Sequence, residues 1–312
     1  MHKRDIIFFT LILCLAATLH AVDVHRQHYD LAGERAAEKQ YYIMETQVSK
    51  LAANGELSHR DIFRLYLVAD PTQEPQQPLY HCAKMAIQFG DGALKSVPAL
   101  AGWSYQRSNS PSGMDEKGQV FGIPHDQFAN IADSDGQVLD QEHAYMVYNA
   151  FIDFHAFCDV FARPVEGGHG VQDLTQIGDK IIHAAAYTEP PVHLGNIKEG
   201  STFKNGEVTL HFKGLSLVNE KDCALLAYDS GASSFHMIME PMPSMTVDTR
   251  GSSHYFGDIY LDLNSFWVQH VDMVEFVVSE STIASMNMKI NGFVERQLTV
   301  RNVDVGTFEA EL

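Results

Sequence analysis

Four methionines, Met237, Met239, Met242 and Met245, fall within nine residues of a chain that holds 12 methionines among 312 residues. Thioethers are soft, neutral ligands that suit Cu(I), and His236 adds an imidazole within the same run. These five residues are the candidate metal ligands, and copper handling is one function they could serve. The same side chains also fill irregular gaps in apolar cores. On a strand, Phe235, Met237 and Met239 share one face, and His236, Ile238 and Glu240 share the other. Pro241 and Pro243 break such a strand, so Met242 and Met245 need not follow the first pair. Phe235, Met237 and Met239, with Trp267, are therefore also candidate contacts for an apolar ligand.

A second constellation lies in the apolar segment Asp140–Phe161. His155 and Asp159 are one helical turn apart, and a carboxylate so placed can orient an imidazole for general-base work. Asp153 is the alternative carboxylate. A His–Asp pair of this spacing also serves as a satisfied polar contact inside a core. No nucleophile signature accompanies it: there is no GxSxG, no HExxH and no P-loop. In "ADSDGQVLDQE", Asp133, Asp135, Gly136, Val138 and Glu142 fall at positions 3, 5, 6, 8 and 12 of a calcium loop, but Ile131 stands at position 1. An Asp-rich turn before a helix accounts for the same residues. Beyond these copper and calcium options no cofactor is implied. Cys82, Cys158 and Cys223 lie far apart in apolar surroundings and read as small buried hydrophobes, so no disulfide is expected.

The elements that must position these groups divide the chain. Ala32–Ala53 is rich in helix formers and stops at Gly55. Ser58 with Asp61 resembles a capping box, and Asp140 can cap the helix that Arg163-Pro164 closes. Downstream, aromatic and β-branched stretches at 207–218, 223–228, 234–240, 244–249, 254–263, 267–278 and 289–303 are separated by short turns. Tight turns between consecutive strands imply an antiparallel meander. The expected fold is α+β: a carboxy-terminal antiparallel β-meander packed against a mainly helical amino-terminal half. Residues 22–312 would form a single domain, helix-rich over 22–170 and β-rich over 171–312.

The amino terminus reads as a secretory signal. His2, Lys3 and Arg4 precede the apolar run Ile6–Leu19, which is short for a membrane span, and cleavage is expected after Ala21. The chain is thus expected to be exported, periplasmic or extracellular, with no membrane span after the signal is removed. A formal net charge of −18 argues against nucleic acid as a partner.

The pattern "GDIYLDL…WVQHVDMVEFVV" resembles secreted bacterial lipoprotein-carrier-like half-barrel proteins over residues ~250–303. That resemblance implies a curved antiparallel sheet whose concave apolar face holds a lipid-like ligand. Three functions follow from the residues and the resemblance together. The first is non-enzymatic binding of an apolar ligand or protein partner through the sheet. The second is an enzyme using His155 with Asp159 or Asp153, and the third is copper handling at Met237–Met245.

Overall fold

The computed structural model describes residues 27–71, 77–108, 119–185, 187–188, 197–242 and 245–312. The expected signal segment and Pro243 lie outside the described residues.

The amino-terminal half is not mainly helical; its principal elements are strands of one large antiparallel sheet. The first strand, β1, is Gln40–Leu51, inside the expected helix. Its neighbour β2 is Leu57–Asp70. Their core-facing residues recur with period two: Tyr42, Met44, Thr46 and Val48 on β1, and Phe63, Leu65, Leu67 and Ala69 on β2 are buried. Gly55, with φ of 84°, turns the hairpin between them and does not end a helix. Ser58 caps nothing; its hydroxyl donates across the hairpin to the Lys50 carbonyl.

The remaining strands are β3 (Leu79–Phe89), β4 (Lys95–Ser96), β5 (Ser104–Gln106), β6 (Lys180–His183), β7 (Tyr187–Thr188) and β8 (Thr202–Lys204). They continue as β9 (Val208–Val218), β10 (Lys221–Asp229), β11 (Ser233–Met242), β12 (Met245–Asp262), β13 (Val268–Ile283) and β14 (Met288–Val303). The sheet runs β4-β3-β2-β1-β14-β13-β12-β10-β9-β6. The expected carboxy-terminal strands are present and antiparallel, but β10 and β11 do not pair with each other, and β1 pairs antiparallel with β14, so the first strands extend the edge of the last. The stretches 244–249 and 254–263 form one strand, β12, whose first half pairs with β11 and second half with β10.

One long helix, α1 (Gln141–His155), lies on the inner face of this sheet and continues through a π turn, Ala156–Val160. Asp140 caps it by accepting from the His143 amide at 2.9 Å. The sheet bends around the helix. Tyr42 of β1 and Tyr80 of β3 meet Phe154, while Tyr228 of β10 and Tyr255 of β12 meet Phe157. Register shifts interrupt the ladders at Tyr66/Leu67, Leu225/Leu226 and Tyr260/Leu261, and such bulges sharpen local twist and bend. On the outer face a short helix, α2 (Val305–Glu311), packs Phe308 on Tyr41 and Tyr66. Among the described residues no helix is long and apolar enough to cross a membrane.

Candidate functional site

The structure joins His155 to Asp159 and adds partners from distant parts of the chain. His155 Nδ1 lies 2.6 Å from Asp159 Oδ2, and His155 Nε2 lies 2.7 Å from the Tyr105 hydroxyl. Tyr80 donates to Asp159 Oδ2 and Arg35 to Asp159 Oδ1, each at 2.6 Å. The Arg35 guanidinium also donates to the Cys158 carbonyl and lies 4.1 Å from the Trp267 ring centroid. The Trp267 indole N–H donates to the Ala36 carbonyl. Trp267 is thus a buried anchor for the segment carrying Arg35.

Burial raises the cost of ionising Asp159, but Arg35 and the His155 hydrogen bond outweigh it and hold the carboxyl well below its usual range. Burial, opposed by Asp159, lowers His155 and favours the neutral ring. A neutral imidazole donates from Nδ1 to the carboxylate and accepts at Nε2 from Tyr105, so both nitrogens are engaged. His155 is 0% exposed. The arrangement can fix a tautomer and hold a charge, and it is enclosed by Tyr80, Tyr105 and Phe154.

Asp153 belongs to a different network. It and Glu275 of β13 both accept from Arg296 of β14, which ties the helix to two inner strands. Burial is the largest influence on Asp153 and raises it, in spite of Arg296.

The acidic loop before α1 carries its own cation. Lys95 Nζ lies 2.9 Å from Asp133 and 2.8 Å from Asp135. Asp133 Oδ1 accepts from the amides of Asp135 and Gln137, and Glu142 pairs with Lys50. Among the described residues no group of three or more His, Cys, Asp or Glu side chains could hold a metal ion. Cys82, Cys158 and Cys223 are free and buried, with the Cys82 thiol pushed up to about 12 and Cys223 to about 11 by burial.

The methionine run forms the β11–β12 hairpin. Met242 pairs across it with Met245, while Met237 faces Thr249 and Met239 faces Val247. Phe235 shares that face and covers Gly251, where a Cβ would come within 2.3 Å of the ring. His236 lies on the opposite face, 2.8 Å from Asp248.

One group of residues was not singled out by the sequence. On the outer face of the meander, Phe256 is 37% exposed, Phe276 45% and Val278 53%. The two phenyl centroids are 6.2 Å apart. Cross-strand pairing sets Val274 opposite Phe256 and Phe293 opposite Val278, making the strip continuous over β12, β13 and β14. Acidic residues border it: Asp229 opposite Phe256, Glu295 opposite Phe276, and Asp258 opposite Asp272. A depression of about 510 Å³ adjoins Phe256, lined by Asp229 and Asp258 and also by Lys180 and Lys213. The legible signal was that "VDMVEFVV" is apolar at both strand parities. An inner face accounts for Val271 and Met273 but leaves Val274, Phe276 and Val278 on the outside.

A further cavity of about 620 Å³ is lined by Gln40, Gln269, Asn302 and Lys221 and is polar. The half-barrel resemblance implied an open concave face; along the half of the sheet covered by α1, that face is filled by Phe151, Phe154 and Phe157. No protein-family model matches the chain, and no curated protein matches it.

Proposed function

We propose that the protein is a non-enzymatic binding protein that engages a polypeptide partner through the outer face of β12, β13 and β14. The carrying observation is the exposed strip of Phe256, Phe276 and Val278. Isolated exposed hydrophobes are ordinary on any protein. A contiguous apolar strip with a polar rim is the usual mark of an interaction surface. The bordering Asp229, Asp258, Asp272 and Glu295, on a chain of net charge −18, favour a partner segment whose apolar side chains alternate with Lys or Arg. Export belongs to the same proposal, supported by the basic start and short apolar run of residues 2–19. The filling of the inner face by α1 favours a polypeptide on the outer face over a small apolar ligand inside.

The test is fluorescence anisotropy with a synthetic peptide of alternating Leu and Lys, beside its Leu–Glu counterpart. The proposal expects saturable binding of the Leu–Lys peptide that weakens with salt and is lost in Phe276→Asp. Equal binding by Phe276→Asp, or no binding by the native chain, overturns it. Sedimentation of the free protein closes the remaining case: self-association abolished by Phe276→Asp would assign the face to a second copy instead.

A further inference from the structure

The inner face of the β11–β12 hairpin is independent of the outer strip and carries different chemistry. In an unbroken strand, residues three apart face opposite sides, so Met239 and Met242 would diverge. The register shifts between them: Met239 pairs with Val247, but Met242 pairs with Met245. That one-residue bulge returns Met242 to the side of Met239. On β12, Met245, Val247 and Thr249 alternate onto a single face, and their partners Met242, Met239 and Met237 share it. All four thioethers therefore issue from one side of one hairpin.

We propose that Met239, Met242 and Met245 form a Cu(I) site; Met237 shares their face but starts about 14 Å from Met242, beyond reach of the same ion. Directly paired residues place their Cβ atoms about 4.5–5.5 Å apart, and alternate residues along a strand are about 7 Å apart. Three rotatable bonds per methionine let the sulfurs of Met239, Met242 and Met245 converge on one ion. Met242 is 57% exposed, and Met239 and Met245 are half-buried, so the patch opens to solvent. His236 points away and is held by Asp248, so the ligand set is thioether alone. A neutral, soft, all-sulfur set favours Cu(I), or Ag(I) as its surrogate, over Cu(II), Zn²⁺ or any hard cation. The ion binds and leaves as Cu(I), with no electron transferred.

The test is anaerobic titration of the full chain against Cu(I) buffered by bicinchoninate, with the cysteines retained. The proposal expects one equivalent withdrawn from the chelator. It expects the pair Met239→Leu and Met242→Leu to weaken binding at least about tenfold. Leucine conserves volume, and unchanged circular dichroism would confirm that these variants fold. His236→Asn should bind as the native chain does. Ag(I) should shift the methyl resonances of Met239, Met242 and Met245. Absence of uptake overturns the site. So does uptake that the leucine variants leave unchanged, which would assign the copper to the cysteines.

Discussion

Arg35 and Asp159 lie 124 residues apart and meet at 2.6 Å, both sealed from solvent. The pair fastens the extended segment before β1 to the π turn that ends α1. Tyr80 and His155 occupy the other carboxylate oxygen. Breaking one side of such a pair leaves an uncompensated buried charge. Asp159→Asn and Arg35→Met should each cost about 3–5 kcal/mol in urea unfolding. The double variant should lose clearly less than the sum of the two, because the groups act as one unit. Additive losses would show that the pair is not coupled.

The same centre sets an acid limit. His155 is lowered, chiefly by burial, and Asp159 is held well below its usual range by Arg35 and His155 against the effect of burial. At both sites the unfolded chain binds protons more readily than the folded one. Stability from these groups is therefore present at neutral pH and lost on acidification. Loss should begin as pH falls below about 6.5, the unfolded histidine value, and steepen below about 3.9, that of aspartate. His155→Gln should flatten the first limb of a plot of unfolding free energy against pH; an unchanged slope would remove His155 as its source.

Gly257 is required by a close approach of backbones. A Cβ built there would stand 2.0 Å from the Asp272 carbonyl oxygen on β13. Gly257→Ala should therefore force β12 and β13 apart and destabilise by roughly 1–3 kcal/mol, as overpacking does. Gly55→Ala, with nothing within 4 Å, should carry only the strain of its φ of 84°. Thermal unfolding of the two variants side by side separates the effects.

Phe276 makes the opposite forecast. It is 45% exposed on the outer face, so Phe276→Thr should change stability by no more than about 1 kcal/mol, the span of strand propensity. A much larger loss in chemical denaturation would mean that the ring supports the sheet and does not wait for a partner.

The carboxy-terminal meander was legible because its strands follow one another through short turns, so alternation and turn residues suffice to identify them. The long helix was legible for similar local reasons: Asp140 caps it, and His155 and Asp159 are spaced to meet along it. The amino-terminal strands were not. Gln40–Leu51 carries Met, Glu, Gln and Lys, which suit a helix, and only pairing with β14 and β2 makes it a strand. The alternation of Tyr42, Met44, Thr46 and Val48 was a local sign of the strand, but its pairing with β14, some 250 residues downstream, was not legible. Arg35, Tyr80 and Tyr105 joined the His155 centre for the same reason. In the methionine run, the spacing by itself determined that Met237 and Met239 share a face. A one-residue bulge, visible only once β11 pairs with β12, decided that Met242 and Met245 join them.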